Sequence, residues 1–256
     1  MMLNKDRNKN IETTRNTEKQ LDFYSQLDSF LENLNLNEVE KLRAFPVYTP
    51  RQNITTFLER YEIYKLIKNV PGSIIECGVG SGLGIFSFMH FCTIFEPYHY
   101  TRKLYGFDTF EGFQGITDKD LSSNASHLKE GGLNFGGFER FNEAIKIHDL
   151  NRALGHLPKM EMIKGDISIT MPEFIKNHPE LVIGLLYLDL DLYKPTLDTI
   201  KSLINKVPKG GIICFDEINH QDYPGETTAV IETLGINNIN LKRLEFSSMM
   251  SYTVVD

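Results

Sequence analysis

Five ionisable side chains stand at or just beyond the ends of two apolar runs. LVIGLLYLD, residues 181–189, closes on Asp189 and continues to Asp191; IICFDEINH, residues 212–220, carries Asp216, Glu217 and His220. Continuous apolar runs of this kind suit central parallel strands covered on both faces, and in an open parallel sheet the carboxyl ends of the strands line the ligand crevice. If the two runs are neighbours, Asp189, Asp216 and Glu217 share one rim. Carboxylates so crowded repel one another unless a cation or protons intervene. Oxygen ligands of this type suit Mg2+ or Ca2+ and not a soft metal, and such an ion would bind a substrate hydroxyl and lower its pKa. His220 could donate to substrate or act as an alternative base. Acids at strand-to-helix turns also cap helices or pair with lysines, and that alternative stays open here.

A second constellation is SIIECGVGSGLG, residues 73–84. A short β-branched run ends at Glu76, and Gly78, Gly80 and Gly82 follow at alternating positions. Glycines at a strand end let the backbone turn sharply and approach a ligand closely. A carboxylate at position 76 would repel a dinucleotide pyrophosphate but suits S-adenosylmethionine (AdoMet), which carries an ammonium and a sulfonium. Leu83 also occupies the position where a dinucleotide fingerprint needs glycine. Val79 and Ser81 complete the expected cofactor loop. In KLYGFDTFEGF the run Leu104–Phe107 reads as a second strand, and Asp108 at its end is expected to accept from ribose hydroxyls, with Thr109 and Phe110 beside it. A turn aspartate is the other reading of Asp108.

The elements that must position these residues alternate regularly. Strands are expected at Ile74–Cys77, Leu104–Phe107, MEMIKGD ending at Asp166, LVIGLLYLD and IICFDE, and a terminal hairpin in INLKRLEF and MSYTVV. Between them, LGIFSFMHFCTIF is apolar almost all round, as a helix buried against a sheet would be. Helices are also expected from a capping box at Thr170, after Pro195 as far as Val207, and from Pro224 to Gly235. Upstream, Leu21, Tyr24, Leu27, Leu31 and Leu34 recur at helical spacing, as do Phe57, Tyr61, Tyr64 and Ile67 before Pro71-Gly72. These leading helices could cap the pocket, pack against another subunit to form a homo-oligomer, or merely cover the sheet. Residues 112–138 form a Gly-, Ser- and Asn-rich insertion directly after Asp108; a lid hinged at Gly131-Gly132 and Gly136-Gly137 is one reading and disorder the other.

The chain has 256 residues, 41% of them hydrophobic and 24% charged, which fits one α/β domain with a helical extension. A net charge of −7, with no basic run interleaved with aromatics, argues against a nucleic-acid surface. No segment approaches the length of a membrane span. The polar residues 1–20 lack the apolar stretch of a signal peptide and are expected to be a flexible tail. Cys77, Cys92 and Cys214 lie in apolar segments without metal-ligand spacing and read as buried thiols of a cytoplasmic protein. The histidines show no zinc-ligand pair, and His90 and His99 read as structural.

Taken together, ECGVGSGLG, YGFDTFEGF, LYLDLDLYKPTLD, GGIICFDE and PGET resemble the macrocin O-methyltransferase family, over roughly residues 45–256. The resemblance implies a class I methyltransferase (Rossmann-like) fold: a seven-stranded, mostly parallel sheet with helices on both faces, here with an N-terminal helical extension. With the patterns read above, the expected domain limits are 1–20 for the tail, 21–70 for a helical cap and 71–256 for the AdoMet-binding domain. The resemblance also implies AdoMet-dependent, Mg2+-assisted methyl transfer to a hydroxyl of a small molecule, often a deoxysugar. The family's metal ligands map to Asp189, Asp216 and Glu217, and its base to Asp189. Glu217 departs from the family's second Asp by one methylene. Asp166 would accept from the adenine amino group. A metal-independent methyltransferase on another small-molecule acceptor, a nicotinamide-dependent oxidoreductase, disfavoured by Glu76 and Leu83, and a non-catalytic AdoMet-binding protein remain as alternatives.

Overall fold

The central strands carry apolar side chains on both faces, and this sets the layers. In the computed structural model, which describes residues 16–121 and 128–256, the helices in chain order are α1 Glu18–Glu32, α2 Glu38–Arg43, α3 Phe45–Tyr48, α4 Arg51–Ile67, α5 Leu83–Phe95, α6 Phe138–Asp149, α7 Ile167–Asn177, α8 Tyr193–Leu203 and α9 Pro224–Thr233. The strands are β1 Ser73–Cys77, β2 Leu104–Asp108, β3 Met160–Lys164, β4 Ile183–Leu188, β5 Ile212–Phe215, β6 Lys242–Arg243 and β7 Ser251–Val254. They form one sheet in the order β3-β2-β1-β4-β5-β7-β6, parallel except for β7, which runs antiparallel to both neighbours. Most of the expected tail, residues 1–15, and residues 122–127 of the insertion, with His127, lie outside the described residues.

Ile74, Leu104, Leu185, Tyr187, Ile212 and Cys214 face one side, packed with Ile63, Tyr64 and Ile67 of α4, Phe88 and Phe91 of α5 and Phe141 of α6. Their neighbours Ile75, Phe107, Leu186, Leu188, Ile213 and Phe215 face the other, against Met171 and Phe174 of α7, Ile200 and Leu203 of α8 and Val230 of α9. Strands buried on both faces need such continuous apolar runs, which is why β4 and β5 read so plainly in the sequence.

The chain divides into two compact units after Thr56, within α4. In the first, α1 begins with a capping box at Thr17 and Gln20, a few residues ahead of the expected start at Leu21. Its helix α2 opens with a second box, at Asn37 and Glu40. None of the residues of α1, α2 or α3 is fully buried.

Three boundaries differ from expectation. Asp166 itself caps α7, its side chain accepting from the Ser168 N–H, so the helix begins at Ile167 and not at Thr170. Helix α8 starts at Tyr193, which puts Pro195 in the first turn, where a missing N–H costs nothing; it ends at Leu203, and a 3-10 turn continues to Lys206. The terminal hairpin is real, but β6 is only two residues long.

At the amino ends of the strands, Arg102 is almost wholly buried. Its guanidinium donates to the carbonyls of Gly72 at 2.9 Å, Val70 at 2.9 Å and Ile67 at 3.2 Å, and pairs with Glu96 at 3.0 Å. It thus satisfies the orphan carbonyls where α4 turns into β1. Arg102→Met strands Glu96 and those carbonyls, and should cost about 3–5 kcal/mol in urea unfolding while leaving cofactor affinity of the folded protein unchanged.

Candidate active site

Backbone pairing continues one residue beyond β1, β4 and β5 and lines up the carboxyl ends of the strands. The Gly78 N–H bonds to the Phe107 carbonyl at 2.8 Å, the Asp189 N–H to Cys77 at 2.8 Å and the Asp216 N–H to Leu188 at 3.1 Å. Gly78, Asp189 and Asp216 therefore stand side by side along one edge. Gly78 has φ +91, and a Cβ there would lie 1.7 Å from the Asp189 carbonyl oxygen, so no other residue fits. A Cβ on Gly82 would lie 2.8 Å from the Phe141 ring, whereas one on Gly80 would meet only the Phe135 ring at 3.8 Å. The loop is thus tightly packed at Gly78 and Gly82 and in looser contact with Phe135 at Gly80. Ser81 is exposed and Val79 buried.

Asp108 fixes this loop. Its Oδ2 accepts from the Val79 and Gly80 N–H groups, each at 2.9 Å, and its Oδ1 from Phe110 N–H at 2.6 Å. An ionised carboxylate has about four acceptor sites, so about one is left for a ligand hydroxyl. Phe110 itself has φ +54, a strained conformation for an aromatic residue, and packs against Phe138 and Phe141. Thr109 closes the turn through its hydroxyl, donating to the Gly112 carbonyl at 2.7 Å. Asp166 uses Oδ1 on its helix cap, at 2.8 Å from Ser168 N.

Glu76 is 1% exposed and faces the first of the two cores, opposite Tyr187 in the sheet register. A Cβ on Gly84 would lie 2.3 Å from Glu76 Oε1, so Gly84 makes room for the carboxyl. Burial pushes this carboxyl up to about 8, against the pull of Arg60 and a backbone hydrogen bond from Ile85. Glu76 Oε2 is buried without a hydrogen-bond partner. An orphaned acceptor beside a glycine loop fits an ammonium ligand, and so fits the amino acid end of AdoMet.

The acidic rim holds a cation the sequence reading missed. Arg60, on α4, is 4% exposed, with its guanidinium carbon 3.8 Å from the centre of the Tyr187 ring. Nη1 donates to the Tyr187 hydroxyl, which donates in turn to Asp216 Oδ1 at 2.8 Å. Nη2 lies 3.7 Å from Asp189 Oδ2, and Nη1 4.0 Å from Asp216 Oδ1. The sequence did carry a signal: positions 60, 63, 64 and 67 share the apolar stripe of a helix, and a charge on such a stripe is a charge to be buried. About a third of the Asp189 side chain (32%) stays accessible. Removal from water, then Asp216 and Asp191, push its carboxyl well above the ordinary range, against Arg60. Asp191 adopts φ +61, a left-handed turn conformation.

Glu217 is 5% exposed, and burial followed by Asp191 and Asp216 pushes it up to about 11. Its N–H donates to Glu226 Oε1 at 2.9 Å, while Thr227 bonds the Glu217 carbonyl and the Asn219 N–H, so the PGET segment braces the turn after β5. Glu226 is wholly buried and also raised, by burial first. His220 Nδ1 accepts from the Asp222 N–H at 3.3 Å and lies 3.9 Å from Glu217 Oε2, which leaves the ring proton on Nε2. Among the described residues no three His, Cys, Asp or Glu side chains are grouped to hold a metal ion. The expected set of Asp189, Asp216 and Glu217 shares an edge, but its geometry is not that of a ligand set.

Residues 53–234 match the macrocin-O-methyltransferase (TylF) family. The chain belongs to the macrocin O-methyltransferase family. It is accordingly an AdoMet-dependent methyltransferase with the class I fold. Solved structures agree. The calicheamicin methyltransferase CalS11 is 28% identical with a TM-score of 0.89, each chain covered to 94%. An apo structure of CalS11, described as a TDP-rhamnose 3'-O-methyltransferase, is 27% identical with a TM-score of 0.81, covering 94% of this chain and 96% of that one. The O-methyltransferase NovP, at 19% identity and a TM-score of 0.58, covers 80% of this chain and 79% of its own and shares the fold. No curated protein matches.

The glycine loop and Glu76 generate two expectations. Asp108→Ala removes three charge-assisted bonds and should weaken AdoMet by about 2–3 kcal/mol in calorimetry, with the protein still folded. Glu76→Gln should act in opposite directions on stability and binding. The folded-state pKa of Glu76, about 8, exceeds its ordinary 4.5, so its cost is absent below pH 4.5 and grows as pH rises towards 8. The amide should therefore stabilise the ligand-free protein by on the order of 2 kcal/mol at neutral pH, and by almost nothing near pH 4, while AdoMet affinity falls.

Proposed function

We propose that this chain transfers the methyl group of AdoMet to a hydroxyl of a small sugar-containing acceptor, with Asp189 as the base. The observation that carries the reading is the partly accessible Asp189 carboxyl beside the glycine loop and Glu76, its basicity raised by removal from water. A raised pKa makes a carboxylate a stronger proton acceptor. AdoMet supplies the electrophilic methyl. Glu76 receives its ammonium, Asp108 offers its remaining acceptor site to the ribose, and Asp166 offers its second oxygen to the adenine. Asp189 takes the proton as the hydroxyl oxygen attacks, and alignment of the two reactants supplies much of the acceleration. His220 is the second candidate for proton transfer. The name of CalS11 supports a nucleotide-linked deoxysugar as the acceptor to try first.

The same reading extends to the surroundings of the site. Residues 112–121 and 128–138 would act as a lid. Phe113 and Gly131–Gly132 exchange backbone bonds of 2.9 Å, Asp120 accepts from Tyr193 N–H at 2.5 Å, and Phe135 lies over Gly80. Gly131, Gly136 and Gly137 all adopt positive φ, as hinge glycines can. The first unit leaves Phe23, Phe30, Val39, Leu42, Phe45 and Val47 exposed, which supports self-association through the N-terminal helices. No helix among the described residues is long and apolar enough to cross a membrane. Three unpaired buried thiols support the cytoplasm as the site of action. Mg2+ assistance has the family resemblance in its favour and not the geometry, so no step is routed through it.

Asp189→Asn keeps the size of the side chain and loses the base. It should lower methyl transfer from tritiated AdoMet to TDP-rhamnose by about 100- to 10,000-fold with AdoMet affinity retained. A folded Asp189→Asn protein with parental turnover contradicts the assignment. Deletion of residues 1–50 should lower the number of chains per particle, read as light-scattering mass divided by chain mass, if the N-terminal helices join copies; an unchanged number rules that out.

A further inference from the structure

The Arg60 network answers the question that the carboxylates raise. Asp189, Asp216 and Glu217 share an edge with Asp191, and the sequence reading offered a metal ion, protons or lysines to neutralise them. In the structure the neutralising charge belongs to the chain. Arg60 enters from α4, on the face of the sheet occupied by Glu76 and Tyr187, and lies buried behind the rim. Its position is fixed three ways: it stacks on Tyr187 at 3.8 Å, donates to the Tyr187 hydroxyl, and faces both Asp189 and Asp216 within 4.0 Å. A guanidinium suits this place because its planar fork stacks on an aromatic ring and serves two acceptors at once, whereas a lysine would act as a point charge. Asp216 Oδ1 meanwhile accepts from the Tyr187 hydroxyl at 2.8 Å, which ties this carboxylate to the guanidinium.

We infer that Arg60 is the resident cation of the acidic site, holding Asp189 and Asp216 in place without a divalent ion. The inference rests on the reading of this edge as the methyl-transfer site, because a positive charge is needed there only if Asp189 must stay in place for a hydroxyl. It separates this chain from a metal-assisted mechanism by a residue of its own. Tyr187 belongs to the same device, since it carries the guanidinium on its ring and passes a hydrogen bond from it to Asp216.

Mn2+ binding tests this without an acceptor. The full chain, alone and with saturating AdoMet, is titrated with Mn2+ and followed by electron paramagnetic resonance; AdoMet binding is measured by calorimetry on the same samples. The parent is expected to bind no stoichiometric Mn2+ at millimolar concentration. Arg60→Met, which leaves the carboxylates without their cation, should gain Mn2+ affinity by about tenfold or more. Arg60→Lys, which keeps the charge, should stay close to the parent. If Arg60→Met does not fold, Arg60→Gln, which can still donate to Tyr187, is read in its place. One tightly bound Mn2+ in the parent overturns the inference, and so does a folded Arg60→Met or Arg60→Gln protein that gains no Mn2+. A parent that binds no AdoMet fails the functional reading instead, whatever Mn2+ does.

Discussion

The carboxyl edge of the sheet is governed by an excess of buried negative charge over buried positive charge. Glu76, Asp189, Asp216, Glu217 and Glu226 crowd a region in which Arg60 is the nearest guanidinium. At an effective dielectric near 20, a guanidinium 4 Å from a carboxylate is worth about 4 kcal/mol, comparable to the cost of taking one ion out of water. Arg60 can therefore offset about one carboxylate, and not all of them. The others are driven towards the protonated form: Glu76 to about 8, Glu217 to about 11, and Asp189 and Glu226 well above the ordinary range, with burial the first cause each time. A site in this condition is prepared to receive a cationic ligand, and a sulfonium methyl donor is one.

Rigid backbone features deliver those groups to the edge. Gly78 admits the Asp189 carbonyl, Gly84 admits the Glu76 carboxyl, and Asp108 pins the loop through two N–H donors and its own turn through a third. Each is a close approach that a single added methyl group or a lost acceptor would undo. Phe110 and Asp191, in the same neighbourhood, are among the non-glycine residues with positive φ. Such conformations persist only where surrounding packing over-determines them, which fits residues held for a ligand.

Much of this was legible in the sequence because it depends on local pattern. The apolar runs of β4 and β5, the glycine spacing after Glu76 and the PGET segment report backbone geometry that neighbouring residues determine. Boundaries failed where a side chain competed with a sequence rule. Asp166 was available as a cap four residues before the apparent capping box at Thr170, and Pro195 fitted inside a first turn instead of preceding it. What was not legible was long-range. Arg60 and Tyr187 are 127 positions apart, and only the packing of α4 on the sheet brings them together. The triple use of Asp108 depends likewise on β1 and β2 lying side by side. Shared position along the edge was inferred correctly for Asp189, Asp216 and Glu217, but a common edge does not by itself make a ligand set.

The account turns on Glu76 as the buried acid that AdoMet ionises. Calorimetric titration of AdoMet at pH 7 in buffers of different ionisation enthalpy measures the protons exchanged on binding. Because the free carboxyl is raised to about 8, it is largely protonated at that pH, and an arriving ammonium must expel the proton. The account requires release approaching one proton per AdoMet at pH 7, fading as the pH passes about 9, and no such release in Glu76→Gln. Binding without proton release, or equal release in Glu76→Gln, would contradict it.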